Sequence, residues 1–284
     1  DCLRDLLNNL GFDCATGNSI IGKKLMLHSA TLSDASDPKI RFDEDGYLTV
    51  EPLFDAAKMA EINVELDRFI SERVSEMGSS EVYYEDIDDS TSIKQMMNMH
   101  DHDPYFDDLL QNSVIRTMAE TALGEAVKGV NVEYFNKPPG IGKATPAHQD
   151  GYFFHIKPSK AVTGWLALED VDHENGCLHY VQGSHKAEGF RPHARSNVLG
   201  FSQGMTDFGT DYDKENTVAL PGQAGTFLMH DCKTIHWAGM NRSKTRSRRA
   251  LGFIYFAKSV EVDKEARAAY QAKLDKDLSA DNKI

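Results

Sequence analysis

The chain has 284 residues, 40% of them hydrophobic and 26% charged, enough apolar material to bury a core without disulfides. Its 44 acidic residues against 31 basic ones give a formal net charge of −13, which excludes a general binder of nucleic acid or anionic membrane, since both need clustered Lys and Arg. Cys2, Cys14, Cys177 and Cys232 are neither dense nor spaced as Cys-x-x-Cys, and no apolar run reaches the about 18 residues of a membrane span, so disulfide scaffolds, zinc ribbons and membrane helices are excluded too.

Residues 1–38 read as an N-terminal extension: an amphipathic helix over Leu3, Leu6, Leu7 and Leu10, then a polar stretch. Residues 39–284 are the expected domain. The segment Phe42–Val50 ends in alternating β-formers and predicts a strand. From Phe54 to Met77 the apolar residues Met59, Ile62, Leu66, Phe69, Ile70 and Val74 follow a 3.6-residue period, which predicts a long helix. Two further helices are expected over Pro104–Gln111 and Ser113–Leu123, with Gly124 as the stop. Beyond it come short β-rich runs at Val127–Phe135, Val162–Leu168, Cys177–Val181, Thr217–Leu220, Thr226–Met229 and Ala250–Ala257, a sandwich or barrel core over about 125–258. A last helix is expected over Asp263–Leu278. The architecture is mainly β with flanking helices.

Chemistry concentrates at His148-Gln-Asp150, the one His-x-acid match in the chain. On an extended segment the i, i+2 spacing turns both side chains to one face. Around it stand Asn136-Lys-Pro-Pro-Gly140, Thr163-Gly-Trp165, Glu174-Asn-Gly-Cys-Leu178, Gly183-Ser-His185, Gly222 to His230, Ile235-His236, Asn241 and Arg248-Arg-Ala250. In this order the motifs resemble the phytanoyl-CoA dioxygenase family of Fe(II)/2-oxoglutarate-dependent oxygenases, over residues 41–258.

The resemblance implies a double-stranded β-helix, a cupin-like jelly roll. It implies that His236 joins His148 and Asp150 in a 2-His-1-carboxylate iron site, which leaves positions open for 2-oxoglutarate and O2. It also implies hydroxylation of a small molecule, with 2-oxoglutarate decarboxylated to succinate and CO2. Related halogenases replace the carboxylate ligand, so Asp150 disfavours halogenation, while desaturation and ring formation share these ligands. Arg248 matches the arginine that holds the far carboxylate of 2-oxoglutarate, and Trp165 and Lys94 match residues beside it. The segment from His236 to Arg248 is one residue longer than the family pattern, which leaves Arg246 and Arg249 open for that role. Ala238 stands where the family places a hydroxyl.

Tyr134, Phe154, His155, Arg191, Arg195 and Asn241 are the candidate substrate contacts, with Arg191, His193 and Arg195 a conceivable anion clamp. His100-Asp-His102 reads as a solvated turn, His230 and Cys232 as structural, and Asn175-Gly176 as a type I′ hairpin. The expected partner is a small polar metabolite, not nucleic acid or membrane. A monomer or homodimer in the cytoplasm is expected. Two rivals remain: a cupin-type metalloenzyme that does not use 2-oxoglutarate, and a catalytically silent barrel that only binds.

Overall fold

The structure is a computed structural model that describes residues 37–195 and 203–270, the short segments 12–13 and 18–19, and residue 272. The helix expected near Leu3–Leu10 lies outside the described residues.

Helix α1 (Pro38–Asp45) ends at Gly46, whose φ of 83° is the left-handed conformation that glycine adopts without strain, and strand β1 (Tyr47–Val50) follows. Helix α2 (Ala56–Glu72) starts where the Asp55 carboxylate accepts the Lys58 N–H, and it buries Met59, Ile62, Leu66 and Phe69 along one stripe. The predicted helix thus exists but is shorter, ending in a 3-10 turn at Val74–Glu76. Strands β2 (Val82–Tyr84) and β3 (Ile93–Met96) come next, then α3 (Pro104–Asn112) and α4 (Val114–Leu123). Gly124 terminates α4 with φ 69°, as expected.

The β region comprises β4 (Val127–Asn136), β5 (Thr145–His148), β6 (Ala161–Ala167), β7 (Leu178–Val181), β8 (Thr217–Leu220), β9 (Phe227–Asp231), β10 (His236–Ala238) and β11 (Arg249–Ala257). They form two antiparallel sheets, a seven-stranded one in the order β1-β9-β6-β11-β4-β3-β2 and a four-stranded one in the order β8-β7-β10-β5. From β4 to β11 the strands alternate between the sheets except at β7 and β8, which are neighbours in the small sheet, the winding of a double-stranded β-helix. Because β6 and β7 lie in different sheets, Asn175-Gly176 does not close a hairpin; the Asn175 side chain instead ties the loop to the Asp172 N–H and to the carbonyls of Asp170 and Ser247. The last helix is seen over 264–270. Among the described residues no helix is long and apolar enough to cross a membrane.

Side-chain alternation divides the large sheet into two faces. Val162, Leu166, Phe227, Met229, Leu251, Phe253 and Tyr255 pack outward against Ile62, Leu66, Phe69 and Ile115 of the helices. Trp165, Ala167, Leu228 and Ala250 turn inward, toward Leu178 and Tyr180 of the small sheet. Gly164 lies on the outer face where a Cβ would stand 2.6 Å from the Phe227 ring, so the close approach of strand and aromatic needs glycine there.

Ile62 is 0% exposed in the helix layer. Ile62→Ala is expected to lower unfolding free energy by about 2–5 kcal/mol, measured by chemical denaturation. An unchanged midpoint would contradict a helix layer packed as core.

Candidate metal centre and co-substrate pocket

The site begins with a register. His236 opens β10 directly opposite His148 at the end of β5, and their ring centroids are 3.9 Å apart. Between His148 and Asp150 the intervening Gln149 turns the other way, donating to the Lys233 carbonyl and accepting the Arg191 N–H. The Nε2 atoms of His148 and His236 lie 3.3 and 3.4 Å from one oxygen of Asp150, Oδ1. All three donor atoms fall within 4.8 Å of one another.

The backbone engages one imidazole nitrogen of each histidine. His148 Nδ1 donates to the Pro146 carbonyl at 2.8 Å and His236 Nδ1 to the Thr234 carbonyl at 3.0 Å, in each case two residues back. In each ring Nε2 is then the nitrogen turned toward Asp150. Burial, reinforced by His148 and His230, pushes the His236 pKa well below the usual histidine range and keeps the ring neutral. Burial alone would raise the Asp150 carboxyl, but the imidazoles around it, His236 first and then His148 and His230, outweigh that and hold it well below the usual carboxylate range.

The other Asp150 oxygen, Oδ2, is occupied. Thr163 Oγ1 donates to it at 2.6 Å and His230 Nε2 at 3.1 Å, while the Tyr180 hydroxyl, 2.8 Å away, satisfies His230 Nδ1. Asp150 is therefore held to present one oxygen. Two imidazoles and one carboxylate oxygen on one side suit a divalent iron with open positions, and their spacing is close to the about 3 Å between neighbouring ligands of an octahedral ion. His230, expected to be merely structural, stands against the triad: it pairs in register with Thr163 on the inner face, so both reach the same carboxylate oxygen.

Arg248 precedes β11 on the inner face. It is 4% exposed, its guanidinium lies 5.5 Å over the Trp165 ring, and its Nε has no hydrogen-bond partner. Burial lowers its pKa to about 10. Arg249 points to the outer face and bonds Glu169 at 2.6 Å and Asp67 at 3.2 Å. Arg246 is spent on Asp172 and Glu174 at the surface. Of the three arginines, only Arg248 is directed inward without a carboxylate partner among the described residues. Lys94 and Lys137 are buried near it and act on each other and on Arg248 through charge; burial first, then these cations, lowers Lys137 well below its usual range, and burial lowers Lys94 despite Glu85, 3.5 Å away. Three buried basic side chains with the one carboxylate of Glu85 beside Lys94 make this end of the barrel suited to an anion.

The expected substrate contacts fare differently. Tyr134 lies on the outer face of β4, in the core beneath the helices. Asn241 is buried and donates to the carbonyls of Lys137 and Arg246 while accepting the Ser243 N–H, so it is a loop brace. Arg191 is held by Asp213 at 2.7 Å and Asp207 at 3.1 Å, which neutralises the conceivable anion clamp. Arg195 ends the strand His193–Arg195, and its side chain lies outside the described residues. Phe154 packs on Phe256, and His155 sits at φ 50° beside Tyr270. His100 and His102 lie on a helical turn (Met99–His102), not a solvated loop: His100 accepts the Val132 N–H and His102 bonds Glu81. Cys232 is buried, and burial pushes its thiol pKa well up.

A family model described as Phytanoyl-CoA dioxygenase (PhyH) matches residues 42–250. The peroxisomal phytanoyl-CoA dioxygenase of Bos taurus is 26% identical over 214 residues, covering 72% of this chain and 63% of the bovine protein, so the match spans less than two thirds of that relative. Phytanoyl-CoA dioxygenase of Arabidopsis thaliana is 30% identical over 153 residues, 54% of this chain and 52% of that one. Among solved structures, the non-heme alpha ketoglutarate dependent carbocyclase SnoK from nogalamycin biosynthesis superposes with a TM-score of 0.65 at 21% identity, covering 84% of this chain and 91% of SnoK. EctD from S. alaskensis, solved with 2-oxoglutarate and 5-hydroxyectoine, superposes with a TM-score of 0.65 at 20% identity over 82% of this chain and 80% of EctD. Both share the double-stranded β-helix.

Asp150→Ala is expected to abolish binding of Mn(II), used as a stand-in for iron, and Thr163→Val to weaken it by about 10–100-fold, measured by calorimetry. Full Mn(II) affinity in Asp150→Ala would remove the triad from the site.

Proposed function

Because this chain belongs to the phytanoyl-CoA dioxygenase family, we propose that it is a non-haem Fe(II)- and 2-oxoglutarate-dependent dioxygenase that hydroxylates a small molecule. One observation carries the reading: the one-sided His148, Asp150, His236 triad and Arg248, which has no carboxylate partner among the described residues, border the same interior between the two sheets, Tyr180 lying beside His236 and Trp165 beneath Arg248. When bound, Fe(II) with 2-oxoglutarate and O2 supplies the oxidising chemistry, which yields succinate, CO2 and the hydroxylated product. The chain's residues do the rest.

His148, His236 and Asp150 Oδ1 would hold the metal, with Asp150 fixed by Thr163 and His230. Arg248 would receive the far carboxylate of 2-oxoglutarate through two parallel hydrogen bonds, since a planar guanidinium matches a carboxylate and its orphaned Nε needs an acceptor. Trp165 stacks against that guanidinium and keeps water from it. Lys94 and Lys137 reinforce the positive field at this end. Ala238 offers no hydroxyl, so the buried cations carry the recognition that the family shares with that group. An Asp at 150 leaves no vacant carboxylate position for a halide, which favours hydroxylation. The turn Gly151–Phe154 follows Asp150 directly, with His155 at its end, and the Phe153 ring lies 6.4 Å from that of His148; we assign substrate contact to this turn. The described cysteines Cys177 and Cys232 are free and buried, which supports a reducing compartment such as the cytoplasm.

With Mn(II) in place of iron, Arg248→Ala is expected to weaken 2-oxoglutarate binding by about 100-fold and Arg249→Ala by less than about threefold, read by equilibrium dialysis. The reverse order would assign the co-substrate to the wrong arginine.

A further inference from the structure

Strand β4 carries a second inward-facing carboxylate that the proposed chemistry does not use. In the sheet register Glu133 pairs with Gly252, and Gly252 with Trp165, so these three lie in one row on the inner face. The next row contains Thr163, the residue that holds Asp150. Glu133 is 8% exposed; Oε1 accepts from Asn131 Nδ2 at 2.7 Å and Oε2 from Gln95 Nε2 at 3.4 Å.

Four acids among the described residues are buried: Glu85, Asp103, Glu133 and Asp213. Three are compensated in the way burial demands. Asp103 pairs with Arg68 at 2.8 Å and caps the Tyr105 N–H; Asp213 pairs with Arg191 and accepts the Gly209 and Thr210 N–H groups; Glu85 accepts the Lys143 N–H and lies 3.5 Å from Lys94. Glu133 alone has neither a cation nor a backbone N–H among the described residues, only two neutral amides. The charge that acts on it is of its own sign: burial, then Asp150, pushes its pKa up to about 8 against the Gln95 hydrogen bond.

We propose that Glu133, oriented by Asn131 and Gln95, is the binding site for a positively charged nitrogen of the substrate, which makes the substrate an ammonium or methylated ammonium compound. The proposal rests on the oxygenase reading. With its pKa at about 8, Glu133 is largely protonated near neutral pH while nothing positive faces it, and becomes a carboxylate when a cation is seated against it; the metal is taken by the triad, and 2-oxoglutarate, an anion, is drawn to the Arg248 end. The missing cation is therefore brought by the remaining component, the substrate. Anchoring its nitrogen in the row beside Thr163 would decide which carbon faces the metal, so Glu133 acts as a specificity determinant.

The test is calorimetry on protein loaded with Mn(II) and 2-oxoglutarate, using methylammonium, choline and the uncharged tert-butyl analogue of choline as probes. At least one charged probe is expected to bind about tenfold to a hundredfold more tightly than the uncharged analogue, the range of one charged hydrogen bond. Glu133→Gln, which keeps the shape, is expected to reduce that preference to less than about threefold while leaving Mn(II) and 2-oxoglutarate affinity unchanged. The comparison of charged with uncharged probes needs no variant, so a misfolded substitution does not leave the question open. Equal binding of the uncharged analogue, no binding of either charged probe, or a preference that survives Glu133→Gln overturns the assignment. Failure of the wild type to bind 2-oxoglutarate would instead bring down the oxygenase reading itself.

Discussion

Asp150 is the point at which the two sheets meet, and the rest of the site depends on how its two oxygens are divided. Thr163 and His230, from the large sheet, claim Oδ2; His148 and His236, from the small sheet and its edge, face Oδ1. A carboxylate taken out of water is costly unless each lone pair is met. Here the cost is offset by donors on both sides, and one oxygen is left aimed at a divalent ion. Tyr180 extends the chain by supporting His230, so a hydroxyl in the hydrophobic inner cluster helps to orient a metal ligand it never touches.

Charge is segregated along the barrel interior. Arg248, Lys94 and Lys137 form a buried basic end with Glu85 as the carboxylate beside Lys94, whereas Asp150 and Glu133 form an acidic region, and burial pushes Lys137 and Glu133 toward their neutral forms. A folded chain left in this state stores unfavourable electrostatics at both ends. Two ligands of opposite sign relieve it, an anionic co-substrate and a cationic group, and the same separation would keep them from exchanging places.

Much of this was legible in the residues, where a period was the question. The helical stripe from Met59 to Phe69 and the glycine stop at Gly124 each express one local rule, and the structure contains both; His148 and Asp150 do come together, but with Asp150 in helical backbone just past the strand end rather than on the extended segment expected. What the residues alone did not settle was phase. Among Arg246, Arg248 and Arg249 the strand alternation decides only once the register of β11 against β6 is known. The same slip misdirected the substrate reading: Tyr134 was the residue expected in the pocket, yet it faces the helices and its neighbour Glu133 faces inward. His230 was missed because it is far from Asp150 in sequence and belongs to the opposite sheet; only the winding of the barrel brings them together. Arg191 looked free because its partners, Asp207 and Asp213, come from a loop and a short helix well downstream.

The most direct test of the account is anaerobic addition of Fe(II) and then 2-oxoglutarate to the metal-free protein, monitored for the weak visible charge-transfer band of a 2-oxo acid chelated to Fe(II). The account predicts that the band forms with one equivalent of each and is absent from Asp150→Ala. Iron that binds to the wild type while 2-oxoglutarate gives no band would contradict it, and would point to a cupin-type metalloenzyme that does not use the oxo acid.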